Sequence, residues 1–195
     1  IEWSEDYVCI HQYWKILCAT LLIKAPIFVA RQIRTSQVGI AYSDMYTEGE
    51  AFVYNEVSRR YVSDEPEFYE IEQWRVRDGS KVKQGSTGVL DNFDVLQELN
   101  TDTSTVHNHA KNIYTTYGDT HKVAPEQLRS LLPQSMYTEF YMTGTLHRWA
   151  QWLSLRLQKD VQQETRDIAH MILQELTCQF SLWAEEYFPH SSDKS

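Results

Sequence analysis

The chain has 195 residues, 42% hydrophobic and 13% aromatic, with only 7 Gly and 5 Pro, a composition that suits one packed soluble domain and excludes collagen-like, low-complexity and disordered chains. Eighteen basic against 27 acidic residues give a net charge of −9, the wrong sign for following a nucleic-acid backbone, which leaves a small anion held by local arginines as the fitting charged ligand. Three cysteines without a CxxC spacing predict neither a disulfide framework nor a zinc site. The most apolar run, Ile16 to Ile33, is broken by Lys24, Pro26 and Arg31, so neither a membrane span nor a signal peptide is expected.

In chain order, Leu17 to Lys24 reads as a buried strand, and Pro26 suits a first helical turn. Phe28, Val29 and Ile33 then form a helical stripe with Arg31, Gln32 and Arg34 beside it. A strand-to-helix turn ending in cations is a candidate anion site. Residues 41–51 are polar and acidic and read as a surface excursion, residues 63–67 as a turn and residues 79–88 as a loop. Leu90, Phe93, Leu96 and Leu99, then Val106, Ala110, Ile113 and Tyr117, predict two amphipathic helical pieces flanking the polar Asn100 to Ser104. Pro125 starts a helix through Leu128, Leu131 and Leu132 that Pro133 ends. Met136, Thr138, Phe140 and Met142 alternate with Tyr137, Glu139 and Tyr141, which is a strand pattern. Thr143 is the expected cap of a helix burying Leu146, Trp149, Leu153 and Leu157, and Asp160 of a long one running to Leu176 and Trp183. The C-terminal half is therefore mostly helical, and the hydrophilic residues after His190 read as a disordered tail.

The densest chemical cluster is Asn55-Glu56-Val57-Ser58-Arg59-Arg60-Tyr61, whose guanidinium forks, hydroxyl and carboxylate suit a phosphate and a polar ring, although a solvated charged turn has the same composition. Glu126 and Arg129 share a helix face, as an ordinary ion pair does. Arg148, Trp152 and Arg156 recur every fourth residue in an apolar helix. Arg156, flanked by Leu155 and Leu157, needs a partner there, and a bound anion is one candidate. Ser58 lies in no GxSxG elbow. His107, His109 and His121 lack a metal-ligand spacing, and neither GxGxxG nor GxxxxGK[ST] occurs.

Lys24-Ala25-Pro26-Ile27-Phe28-Val29-Ala30-Arg31-Gln32 is followed by Asn55-Glu56-x-Ser58-x-Arg60-Tyr61, by Met136-Tyr137-Thr138-Glu139-Phe140-Tyr141, and by Leu153-x-Leu155-Arg156 with Gln162-x-Glu164. In order and spacing this series resembles the flavin-dependent thymidylate synthases. The resemblance implies an α+β fold with a small mixed or antiparallel sheet, long helices and a helical C-terminal half. It implies one catalytic domain over residues 1–190, with an insertion at about 40–52 and a tail at 191–195. The implied reaction is reductive methylation of dUMP to dTMP with methylenetetrahydrofolate, FAD and NADPH, in a cytoplasmic homotetramer of a bacterial or phage-infected cell. By the same resemblance Arg156 and Ser58 are catalytic, and Gln32, Glu56, Val57, Ser58, Arg59, Arg60, Arg129 and Arg156 bind dUMP. The family's flavin positions fall on Arg34, Thr35, Ser36, Gln37, Thr145, His147, Gln151 and His11. The family's RHR triplet is replaced by Thr35-Ser36-Gln37, which keeps as an alternative a relative that binds dUMP without turning it over. The chain opens at Ile1 rather than Met and reads as incomplete at its start, and no metal is expected.

Overall fold

The computed structural model describes residues 14–35, 52–57, 65–77, 86 and 88–189. Of the sequence expectations, those on His11, Ser36, Gln37, Ser58, Arg59, Arg60, most of the 40–52 segment and the tail lie outside these residues. The chain divides into two compact units, one of Ile1–Leu22, Gln32–Asn55 and Tyr141–Ser195, the other of Ile23–Arg31 and Glu56–Phe140. The elements make an α+β protein, as the sequence implied.

Strand β1, Cys18–Pro26, alternates as a half-covered strand must, with Ala19, Ile23 and Ala25 buried and Cys18, Thr20, Leu22 and Lys24 exposed. It leads directly into helix α1, Ile27–Thr35. The first two amides of α1 have no intrahelical partner; here Ile27 N–H donates to the Met136 carbonyl at 2.9 Å and Phe28 N–H to that of Gln134 at 3.1 Å. Strand β2 is Val53–Glu56 and strand β5 is Tyr137–Thr145, and the sheet order is β1-β5-β2. Leu146 N–H reaches the Leu17 carbonyl at 2.8 Å, whereas the other end of β1 meets Met136, so β1 and β5 run antiparallel.

In the second unit, Arg75–Val76 (β3) pairs antiparallel with Gly88–Val89 (β4). Helix α2, Phe93–Thr115, is one 23-residue helix capped by Asn92, whose side chain accepts from Val95 N–H. The two pieces expected around Asn100 to Ser104 are continuous. Polarity alone suggests a break there, but Thr101 and Thr105 turn their hydroxyls back onto the carbonyls of Gln97 and Thr101 at 2.8 and 2.9 Å, which lets polar residues stay helical on an exposed face. His107, Ala110 and Tyr114 make its buried side. Helix α3, Pro125–Leu128, opens with proline in its first turn and tightens into a 3₁₀ turn at Arg129–Leu131, close to the expected span.

The first unit holds the aromatic core. Helix α4 is Leu146–Arg156, α5 is Gln163–Gln179 and α6 is Ser181–Tyr187. Trp149 meets Phe52 edge-on at 4.7 Å and Trp152 at 6.0 Å. Three buried indole N–H groups find backbone carbonyls, Trp149 that of Ala19, Trp152 that of Ile33 and Trp183 that of Leu146, and the buried Trp14 donates to the Glu186 carboxylate. Gly144 lies against Phe52, and a Cβ there would stand 2.5 Å from two ring carbons. Two caps fall two residues later than expected. Thr143 stays in β5 because its hydroxyl is bonded to that of Thr20 at 2.9 Å, and Thr145 caps α4 by accepting from Arg148 N–H at 3.1 Å. Asp160 lies in a turn closed by Val161 N–H on the Gln158 carbonyl at 3.2 Å, so α5 starts after Gln162. Among the described residues no helix is long and apolar enough to cross a membrane, and no group of His, Cys, Asp and Glu is set to hold a metal.

Candidate functional site

Helix α1 buries Val29, Ala30 and Ile33, a stripe that leaves Gln32 half-buried on its flank and Arg31 and Arg34 exposed. A helix ends with carbonyls that have no intrahelical acceptor role left to fill. Two residues one turn apart on α4 take two consecutive ones: Trp152 Nε1 donates to the Ile33 carbonyl at 3.2 Å and Arg156 donates through one terminal nitrogen to the Gln32 carbonyl at 2.8 Å. A cation suits the negative end of the α1 dipole. That contact satisfies one Arg156 N–H. Its Nε is buried without a hydrogen-bond partner, and burial pushes its pKa below the usual guanidinium value, with Tyr54 pulling the other way. A desolvated fork with donors to spare is suited to a planar, electron-rich ligand.

The Gln32 side chain is held as firmly as its carbonyl. Thr165, fully buried, donates its hydroxyl to Gln32 Oε1 at 3.2 Å, Gln32 Nε2 donates to Gln162 Oε1, and Gln162 Nε2 donates to Glu164 Oε2 at 2.9 Å. Thr35 adds its hydroxyl to the Gln32 carbonyl at 3.3 Å. Sequence reasoning quoted Gln162 and Glu164 only as part of a signature and missed Thr165, whose signal would have been a hydroxyl on the buried stripe of α5.

The expected flavin residues Thr145, His147 and Gln151 also come together, in the first turns of α4. His147 sits between the Tyr187 hydroxyl at Nδ1 (2.9 Å) and the Gln151 amide at Nε2 (3.0 Å), while Arg148 donates to Gln151 Oε1 at 2.9 Å. Arg148 is buried with its guanidinium 5.5 Å from the centre of the Phe52 ring. The sequence marks Arg148 by its spacing alone; the structure adds its burial within this network. Arg34 lies over the Tyr54 ring at 5.4 Å.

Three other expected residues belong to the second unit. Glu56 accepts from the Thr138 hydroxyl at 2.7 Å, and Val57 N–H donates to the Glu139 carbonyl at 2.8 Å, which fixes the backbone immediately before Ser58. Arg129 is exposed and its Nε donates to the Glu126 backbone carbonyl at 3.3 Å. The Glu126–Arg129 ion pair is therefore not formed. Lys24, first residue of the longest signature, is bonded to Glu67, which raises its pKa, and stands over Tyr137 at 5.1 Å.

Residues 11–180 match the family described as thymidylate synthase complementing protein. A flavin-dependent thymidylate synthase of Thermus thermophilus is 34% identical over 173 residues, which are 86% of this chain and 56% of that protein. Proteins of the same name from Thermosipho africanus and Wolbachia pipientis are 31% and 30% identical over 77% of this chain, covering 59% and 48% of their own length. The chain thus spans about half the length of these curated relatives. Among solved structures, a UMP/dUMP methylase, PolB from Streptomyces cacaoi bound with 5-Br UMP, has a TM-score of 0.72 at 22% identity, covering 94% of this chain and 79% of that one. At that identity the likeness is one of fold.

Proposed function

Because the chain belongs to the thymidylate synthase complementing protein family, the flavin-dependent thymidylate synthases, we propose that it performs the reductive methylation of dUMP to dTMP. Methylenetetrahydrofolate gives the one-carbon unit, NADPH gives the reducing equivalents by way of FAD, and the C5 hydrogen of the uracil leaves as a proton. The observation that carries this reading is the meeting of Gln32 and Arg156, 124 residues apart, at the end of α1, with Arg156 half-buried and its Nε buried without a hydrogen-bond partner.

For C5 to become nucleophilic, negative charge has to develop at N3 and the carbonyl oxygens of the pyrimidine, from which it is delocalised to C5. A guanidinium fixed by its Gln32 contact is a preorganised donor for that charge, so Arg156 polarises the ring and no protein nucleophile is needed. Ser58 is proposed to act beside the ring, with Glu56, Val57, Arg59, Arg60 and Arg129 completing the dUMP pocket and cations on the phosphate. The donor set of Arg34, Thr35, His147 and Gln151, rich in groups that both give and accept hydrogen bonds, fits the ring edge and phosphates of a flavin. With Thr145, Ser36, Gln37 and His11 these residues would hold FAD, which supplies reversible hydride chemistry. The active form is proposed to be a cytoplasmic homotetramer.

Release of tritium from dUMP labelled at C5, with FAD, NADPH and the folate present, tests the proposal; no release under reducing conditions overturns it. The ties of Thr145, His147 and Gln151 to their own neighbours, with Thr35 at the triplet position, favour a second reading: dUMP binding without turnover. That reading requires a thermal shift with dUMP and none with FAD.

A further inference from the structure

The four side chains Glu164, Gln162, Gln32 and Thr165 form a relay that can run in only one sense. A carboxylate accepts and cannot donate, so Gln162 must turn its NH₂ toward Glu164 and its oxygen toward Gln32. Gln32 must then offer its own NH₂ to that oxygen, which leaves its Oε1 facing the Thr165 hydroxyl. Thr165 is fully buried, so no water replaces it. Glu164 sits in the first turn of α5, where a negative charge is favoured by the helix dipole. Take the charge away and every amide in the series can turn over, because oxygen and nitrogen of a carboxamide have nearly the same shape.

An amide has two N–H groups and two lone pairs, and the relay uses one of each on Gln32. The remaining N–H and lone pair are thereby held in a fixed order, available to a ligand. Uracil shows N3–H between two carbonyl oxygens, whereas cytosine shows an unprotonated N3 beside an amino group, so the two rings ask for opposite senses of the same amide. We propose that Glu164 is a positioning residue for pyrimidine selectivity: acting through Gln162 and Gln32, with Thr165 closing the far end, it holds the Gln32 amide in the sense that accepts uracil and refuses cytosine. The inference rests on the dUMP reading and names a determinant within that site.

Equilibrium binding of dUMP and dCMP to the full chain tests it, comparing wild type with Glu164→Gln, Thr165→Val and Thr165→Ser. Glu164→Gln keeps the size and the hydrogen-bonding capacity but frees the direction, and it should reduce the dUMP-over-dCMP preference about tenfold or more. Thr165→Val should reduce it as well, and Thr165→Ser should keep it. Lower melting temperatures with an unchanged preference would mean a merely structural role and overturn the proposal. Should Glu164→Gln not fold, the valine and serine variants decide alone: equal preference in both overturns it. A wild type that binds neither nucleotide overturns the dUMP reading itself, and the selectivity proposal with it.

Discussion

Arg156 carries two demands that different substitutions separate. Its contact with the Gln32 carbonyl needs one N–H, which an ammonium also has, whereas the proposed charge stabilisation across a pyrimidine edge needs the planar fork. Arg156→Lys should therefore bind dUMP within about fivefold of wild type while turnover falls roughly 10²-fold or more, as binding and single-turnover measurements would show. His107 makes a pH-dependent contribution of another kind. It is buried in α2, stacked on Phe68 at 4.5 Å and bonded to the Ser135 hydroxyl at 2.7 Å. Burial lowers its pKa below 6.5, with Glu70 opposing and Lys111 assisting. The unfolded chain then binds the proton more readily, so the stability from neutral His107 is complete above about pH 6.5 and is lost as the pH falls below it. His107→Gln should flatten the dependence of melting temperature on pH between about 6.5 and 5 relative to wild type.

Among the elements, β5 shows how closely backbone and side chain are fitted. Phe52 crosses Gly144 and is itself held edge-on by Trp149, so an added methyl meets a ring that has no room to retreat. Gly144→Ala should cost about 2 kcal/mol and lower the melting temperature by about 5 °C, measured by calorimetry. The same strand marks the limit of reading elements from pattern. Its alternation from Met136 to Met142 is plain in the sequence, but its true end at Thr145 depends on a hydroxyl contact from Thr143 to Thr20 across the sheet. Likewise α2 is continuous because Thr101 and Thr105 bond to the turn before them, which a count of apolar spacings does not register. Pro125 and Pro133, by contrast, act locally, and the short helix between them came where proline geometry puts it.

For the molecule as a whole, a net charge of −9 coexists with a half-buried Arg156 and an exposed Arg129, both proposed above as ligand-binding cations. The α+β class followed from the signatures, which also named Gln32 and Arg156, because residue identity at fixed spacing survives in a linear text; the contact between those two residues did not. The relay from Glu164 to Thr165 did not, since it exists only once α5 is laid beside α1. The indole of Trp152 offers an optical consequence. It is bonded to the Ile33 carbonyl, one peptide from the carbonyl that Arg156 grips, so a nucleotide drawing on Arg156 perturbs a chromophore already built into the core. Titration with unlabelled dUMP should change the intrinsic fluorescence of the wild type, and Trp152→Phe should remove most of that change, giving the protein its own spectroscopic gauge of occupancy.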